Sequence, residues 1–417
     1  MESRIRARYW IETAFPLERA AATMAGEQST GTFVRVPGET DELRERNAAR
    51  VERIEPLETV GSPSLPGAAA GTEYRRAEVE LSWPLSNLGP SLPNLLATVA
   101  GNLWELKAFS GLRLLDLQLP PEFLDRYDGP QFGVEGTRKL CGVHGRPIIA
   151  TIVKPSVGLS PEATAEIVRS VAEGGIDFIK DDELQADGPH CPFEKRLAAV
   201  MRVVNDHAAR TGKRVMYAAN ITGEIDDMLR RHDQVVEAGG TCVMVSVNSV
   251  GLPALTALRK RAAVAIHGHR NGWGMYGRSP AIGMSFIAYQ KLWRLAGVDH
   301  MHVNGIANKF CEPDDSVVAS ARECLKPMFT VPDRGCEIMP VFSSGQSARQ
   351  AAPTYAALGS TDLMFACGGG IMAHPDGIEA GVRSLHEAWE AAVGGVPLEE
   401  YAREHAALRA ALERFRS

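Results

Sequence analysis

Between residues 4 and about 119, apolar and polar positions alternate in some stretches and recur at helical spacing in others. The stretch 75–83 (RRAEVELSW) carries Ala77, Val79, Leu81 and Trp83 at every second position and predicts a half-buried strand. Residues 16–26 and 91–101 predict helices, and the Gly/Ser/Pro-rich segment 61–71 predicts a loop. The order strand, helix, strands, helix, strand predicts a ferredoxin-like α+β domain over residues 1–129.

Beyond residue 129 the rhythm changes to short apolar runs separated by helical periods. Eight runs stand at 148–153, 178–180, 215–220, 242–247, 263–267, 300–303, 337–342 and 363–366. The helix predicted over 160–172 begins with Ser160 as cap, Pro161 in the first position and Glu162 in the first turn. Strands covered on both faces read as unbroken apolar runs. Eight strand–helix units in about 290 residues therefore predict a (β/α)₈ TIM barrel over residues 130–417. A doubly wound open sheet is the runner-up and needs fewer strands. Residues 395–417 predict an amphipathic helix on the outside of the barrel.

Composition narrows the classes. Hydrophobic residues at 45% and charged residues at 23% are ordinary for a globular chain. A net charge of −6 argues against a nucleic-acid surface. The start MESRIRARYW lacks an apolar core for a signal peptide, and no run of 18 apolar residues predicts a membrane span. Seven scattered cysteines without a CxxC pair predict reduced thiols in a cytoplasm.

The reactive residues cluster where the apolar runs end: Lys154, then Lys180 with Asp182 and Glu183, then His267, His269 and Arg270, then His302, then Ser343 and Gly345, then Gly368 and Gly369. In a TIM barrel those ends share one face, and that face carries the active site. Asp182 and Glu183 suit a hard cation such as Mg²⁺, although such a turn is more often a solvated acidic corner. Lys180 would oppose a cation as an ammonium and ligate one as a carbamate; a Lys–Asp salt bridge is the other reading, and composition decides neither. The glycine turns suit either a phosphate cradle or plain flexibility. Arg270 suits an anion clamp or a structural carboxylate. His267 and His269 suit a core hydrogen-bonding role as well as a site role.

At this point the segments TIVKPSVGLS, GGIDFIKDDE, IHGHRNGWG, DHMHVNGIANK, PVFSSG and CGGGIMAHP resemble, in order, the active-site segments of the RuBisCO large subunit. GEQSTGTF and GNLWELKAFSGLRLLDLQLP are similar to its amino-terminal site segments. The resemblance implies that Lys180 is carbamylated by CO₂ and holds Mg²⁺ with Asp182 and Glu183. It implies that Lys154 moves the proton of an enolate and that His269 lies beside substrate hydroxyls. Arg270, His302 and Ser343 would line one anion pocket. Thr32, Gly345, Gly368 and Gly369 would line the other, near Lys309 of a mobile sixth loop. Glu27, Thr32 and Asn102 would reach the site from a partner subunit, which implies a homodimer or an assembly of dimers.

Departures from RuBisCO are equally specific. Ser156 stands where RuBisCO has a second lysine, Phe33 replaces a tryptophan, Ser344 a glycine and Trp273 a histidine, and the sixth loop reads NGIANKFCE. These keep the metal set but alter what surrounds the attacking carbon, so the resemblance implies a RuBisCO-like (type IV) enzyme and not a CO₂-fixing one. The polar residues retained at both ends of the pocket favour a 3-oxo acid phosphate of the 3-oxo-isoapionate 4-phosphate type, cleaved by a decarboxylase or transcarboxylase. Isomerisation or enolisation of a methylthio-ribulose or diketo-methylthiopentyl phosphate is the alternative, and a non-enzymatic regulator a further one. A binuclear zinc hydrolase fits less well, because there an HxH pair precedes the lysine. The GxGxxG match at 272–277 reads as coincidence, since Pro280 interrupts the helix a dinucleotide site needs.

Overall fold

A computed structural model describes residues 3–31 and 36–416. Its first strands are β1 (Arg4–Thr13), β2 (Arg50–Val60), β3 (Tyr74–Pro84), β4 (Gly111–Gln118), β5 (Ile148–Ile152), β6 (Phe178–Lys180) and β7 (Met216–Asn220). There follow β8 (Cys242–Ser246), β9 (Ala265–His269), β10 (Ile282–Met284), β11 (His300–His302), β12 (Met339–Phe342) and β13 (Met364–Ala366). The chain divides into two compact units: Met1–Asp128 with Gly272–Leu295 and Pro327–Gly335, and Gly129–Asn271 with Ala296–Lys326 and Cys336–Ser417.

In the first unit the sheet order is β10-β4-β1-β3-β2. Strands β1 to β4 pair antiparallel, with helices Leu17–Glu27 and Leu92–Val99 in the two connections. That is the ferredoxin-like order. Alternation explains the central strand: Ile5, Ala7, Tyr9 and Ile11 are all buried, while the residues between them are not uniformly so. Strand β10 runs parallel to β4 through 282–284. Alternation does not reveal it, because three residues containing a glycine at φ +102° carry no periodic signal.

In the second unit eight parallel strands close a barrel in the order β5-β6-β7-β8-β9-β11-β12-β13. Every apolar run of the sequence contributes one of them. Alternate residues fill the interior: Ile148 and Ala150, Phe178, Met216 and Ala218, Cys242 and Met244, Ala265, Met339 and Val341, Met364 and Ala366. The residues between, such as Ile149, Ile179, Val243, Ile266 and Phe365, are buried as well. Both faces being covered, the strands are mostly apolar on both sides, with exceptions such as His267 and His269 on β9 and His300 and His302 on β11.

Two expectations need correction. The fifth strand lies two residues later than its apolar run, so His267 and His269 sit on the strand itself. The terminal helix is two pieces, Leu398–Tyr401 and Ala406–Arg414. It breaks where His405 Nδ1 turns back on the carbonyl of Tyr401 at 2.7 Å. The second piece packs on helix Ile378–Gly394, with Leu408 and Leu412 buried and the Leu408 amide donating to Glu387 Oε2 at 2.8 Å. Among the described residues no helix is long and apolar enough to cross a membrane.

Candidate functional site

The inward-facing positions of the barrel are mostly apolar, His267 and His300 beside Phe178 excepted, until the strands reach their carboxyl ends, where they turn polar. Two residues after Phe178, Lys180 pairs in register with Ile152 and Ala218 and is 1% exposed. Its Nζ donates to the Asp181 carbonyl at 2.9 Å and lies 3.4 Å from Glu183 Oε2 and 3.6 Å from Met244 Sδ. Burial pulls this amine below its ordinary pKa, and the charges of Glu183 and Asp182 only partly restore it.

The three acids that follow separate in role. Asp181 turns into the wall, where Tyr217 Oη donates to it at 2.6 Å, Arg196 Nε at 3.1 Å and the Asn220 amide at 2.9 Å. Asp182 is 2% exposed; it accepts from the Leu184 amide at 3.1 Å and from Lys154 Nζ at 2.6 Å. Glu183 faces the mouth. Burial works against its charge, and the neighbouring His269 and Lys180 outweigh that, so it ionises below the usual carboxylate range. The Asn220 carboxamide donates to the carbonyls of Asp182 and Glu183 at 3.1 and 3.3 Å and so fixes the turn. Sequence reasoning missed Asn220; its signal was a polar residue closing the third apolar run.

Lys154 Nζ also donates to Ser156 Oγ at 2.8 Å, so the residue in place of a second lysine holds the first one. A Cβ on Gly368 would stand 3.6 Å from Lys154 Cε, which puts the eighth-strand glycine turn beside this amine. At Gly369 a Cβ would meet nothing within 4 Å, so the backbone there is open.

On the opposite wall, His267 Nε2 and His302 Nε2 are 2.9 Å apart, and His302 Nδ1 is 2.8 Å from Ser343 Oγ. His269 Nε2 lies 3.5 Å from Glu183 Oε2 and so joins the two walls. Burial holds His269 near a pKa of about 4, with the Lys180 charge acting in the same direction. It also pushes His267 and His302 well below the ordinary imidazole value. Arg270 Nη2 donates to Glu312 Oε2 at 2.9 Å, and Asn304 Nδ2 donates to the same oxygen at 2.6 Å. Glu312 and Asn304 were not singled out from the sequence: Glu312 lies deep in the sixth loop, and Asn304, although it directly follows the sixth run, is an uncharged amide whose part lies in its partners.

The sixth and seventh loops are tied together. The Lys309 amide donates to the Ser344 carbonyl at 3.1 Å, Ser344 Oγ to Asn304 Oδ1 at 2.9 Å, and Gln346 Nε2 to the Ile306 carbonyl at 3.1 Å. Asn304, Ala307 and Ser344 adopt φ of +69°, +48° and +74°, a conformation costing on the order of 1 kcal/mol or more each away from glycine. Gly345 at φ +89° faces Lys309, whose Cβ would lie 3.5 Å from an added Cβ. Lys309 itself is exposed, with its Nζ over the Phe310 ring at 5.2 Å.

In the first unit Asn102 Nδ2 donates to Glu27 Oε1 at 3.5 Å, and both residues are exposed. Thr32 and Phe33 lie outside the described residues. The glycines at 272–277 form a four-residue helix, Gly274–Gly277, followed by β10, an arrangement unlike a dinucleotide-binding unit.

Comparison with known proteins agrees with this architecture. Residues 133–415 match the catalytic domain of the ribulose bisphosphate carboxylase large chain, and residues 5–123 match its N-terminal domain. A 3-oxo-isoapionate-4-phosphate transcarboxylase/hydrolase from Xanthobacter autotrophicus is 56% identical over 99% of both chains. A 3-oxo-isoapionate-4-phosphate decarboxylase from Rhizobium etli is 47% identical over 98% of this chain and 97% of its own. The crystal structure of a rubisco-like protein from Burkholderia fungorum superposes with a TM-score of 0.93 at 47% identity, covering 99% of this chain and 100% of that one. With both domains matched in order and the closed barrel and ferredoxin-like sheet in place, the chain belongs to the ribulose bisphosphate carboxylase large-chain family, among its RuBisCO-like members.

Proposed function

We propose that this protein cleaves a carbon–carbon bond of 3-oxo-isoapionate 4-phosphate, through an enolate, by decarboxylation or by transcarboxylation with hydrolysis. The observation that carries the reading is a fully buried amine, Lys180, set against two carboxylates and a second lysine, opposite a wall of buried histidines, Ser343 and the Arg270–Glu312 pair. Relatives at 56% and 47% identity carry these activities in their names.

Among the described residues no three His, Cys, Asp or Glu side chains form a ready cation site. Asp182 and Glu183 alone leave a hard cation short of anionic oxygen. The donor set fits once Lys180 reacts as a free amine with CO₂: its nitrogen bonds the carbon, a proton leaves to solvent, and a carboxylate results. The lowered pKa of Lys180 favours that free amine. Mg²⁺ held by Lys180, Asp182 and Glu183 would stabilise the negative charge that grows on substrate oxygen.

The chain's own groups do the rest. Arg270, His302 and Ser343 bind one anionic end of the substrate. Gly345, Gly368, Gly369 and Lys309, with Thr32, bind the other. His269 orients the hydroxyls between them. When the bond to the carboxylate carbon breaks, its electron pair stays on the remaining fragment as an enolate, and Lys154 delivers the proton that quenches it. The active unit is a homodimer or an assembly of dimers, with Glu27, Thr32 and Asn102 of one protomer serving the other's site.

The test is turnover by purified protein with Mg²⁺ and bicarbonate. The expected result is CO₂ release and a shortened phosphorylated product from 3-oxo-isoapionate 4-phosphate. Turnover of a methylthio-ribulose phosphate with none of the oxo acid would overturn the proposal.

A further inference from the structure

The wall formed by β9, β11 and β12, with the loops after β11 and β12, holds five residues in a hydrogen-bonded line whose proton positions are fixed from both ends. At the far end, Asn304 Nδ2 donates to Glu312 Oε2 at 2.6 Å, which sets the orientation of its amide. Asn304 Oδ1 then takes the proton of Ser344 Oγ at 2.9 Å. With its proton committed, Ser344 can only accept across the 3.4 Å contact with Ser343 Oγ. Ser343 therefore receives no donor from that side, and its own proton has only this long 3.4 Å contact to Ser344 to give up when an anion offers a stronger acceptor.

At the near end stands His267, fully buried, with an Nδ1 that has no hydrogen-bond partner among the described residues. A buried N–H without an acceptor is rarer and costlier than a bare ring nitrogen. The proton of His267 accordingly resides on Nε2, where it meets His302 Nε2 at 2.9 Å. A neighbouring ring obeys the same rule. Thr137 Oγ1 gives its proton to the Gly133 carbonyl, so His300 Nε2 must donate to Thr137 at 2.8 Å, and His300 Nδ1 is left bare and buried. Burial keeps His267 and His302 uncharged, so each carries one proton.

We propose that His267 is a positioning residue: by donating from Nε2 it forces the His302 proton onto Nδ1, and His302 then donates to Ser343 Oγ and turns the serine hydroxyl outward as a donor to the substrate's anionic group. The line runs His267 to His302 to Ser343 to the anion, every donor pointing the same way. Were the His302 proton on Nε2, its Nδ1 would take the serine proton, and the pocket would present an oxygen lone pair to a negative charge. The inference rests on the reading of His302 and Ser343 as an anion pocket, and the experiment separates the two.

The experiment is a double-mutant cycle between H267F and S343A, reading KM for 3-oxo-isoapionate 4-phosphate, kcat, and competitive inhibition by inorganic phosphate, with circular dichroism and thermal midpoints as folding controls. H267F should raise KM and the phosphate inhibition constant about tenfold, the worth of one hydrogen bond to a charged group, with a smaller change in kcat. H267Q, whose amide nitrogen can donate from a position similar to Nε2, should recover most of that loss. In the S343A background H267F should add less than about twofold, because the hydroxyl it orients is gone. Additive effects of H267F and S343A would overturn the positioning role, as would equal KM for H267F and H267Q. An S343A protein with unchanged KM would instead overturn the anion-pocket reading on which the role depends. If the phenyl ring prevents folding, H267M supplies the donor-free arm of the same cycle.

Discussion

The two walls of the barrel mouth solve the problem of burying polar groups in opposite ways. Around β5 and β6 the groups are charged and crowded: Lys154 lies 2.6 Å from Asp182, and Lys180 lies 3.4 Å from Glu183. Around β9, β11 and β12 the ring groups are uncharged, and His267, His302 and Ser343 satisfy one another at 2.8–2.9 Å. A charged wall suits the proposed cation and lysine modification, because its ions are not locked in one partnership. A neutral wall can orient donors toward an anion without attracting a competing metal. His269, 3.5 Å from Glu183, touches both.

The neutral wall should fail first in acid, and this is the largest effect expected. His269 titrates near about 4 and His300 near about 3, while His267 and His302 lie well below the ordinary value, burial being the leading cause in all four. In the unfolded chain each protonates near about 6.5. Their folded values are depressed, so the stability they carry is complete above that pH. It is lost as the pH falls toward the folded values, because only the unfolded chain then gains protons. Between pH 7 and pH 5 the loss is about 2 kcal/mol for each of His269 and His300, with His267 and His302 acting in the same direction. Urea titrations across that range should show a steep, cooperative fall in stability. A flat profile would mean that these rings protonate in place.

The charged wall should respond the other way, with function lost and the fold kept. Lys180→Met removes the buried amine that the proposed carbamate requires, and activity should drop by about 10³-fold, the scale for deleting a principal electrostatic group. The thermal midpoint should not fall, because burying an amine is itself costly and methionine fills similar volume. Steady-state turnover together with calorimetry checks both halves. A protein that loses stability with Lys180→Met would show that the lysine holds this wall together.

The difference between the walls also explains what could be read from the sequence. The eight strands were legible because strands covered on both faces are apolar throughout, and the reactive residues were legible because they end those runs. Lys180, Asp182 and Glu183 fall within four consecutive residues, so one short segment announces the charged wall. The neutral wall is assembled from three strands and two loops, and its logic lies in partners: Glu312 beneath Arg270, Asn304 beneath Ser344, His267 beneath His302. No spacing rule brings residues 267, 302 and 343 together; only barrel closure does. Asp181 makes the same point in reverse. Nothing in the triplet 181–183 reveals that the first acid serves Arg196 and Tyr217 in the wall while the next two face the site. Strand β10 escaped because pairing with β4, not composition, makes it a strand.

The smallest expected effect tests how firmly the charged wall holds Lys154, the proposed proton carrier. Lys154 has two partners, Asp182 Oδ2 at 2.6 Å and Ser156 Oγ at 2.8 Å, and 39% of its side chain is exposed. Ser156→Ala removes the weaker partner and leaves the ion pair, so the amine keeps its place but gains freedom of rotation. A half-exposed hydrogen bond of this kind is worth about 0.5–1 kcal/mol, so kcat should fall about threefold, with KM nearly unchanged because the serine does not touch the anion pocket. Ser156→Thr keeps the hydroxyl and should retain activity close to the parent. If Ser156→Ala instead lowers kcat as far as Lys180→Met does, Ser156 has a direct part in the proton transfer. The lysine then works as one of a pair, and the difference between this wall and its neutral neighbour is smaller than the static contacts suggest.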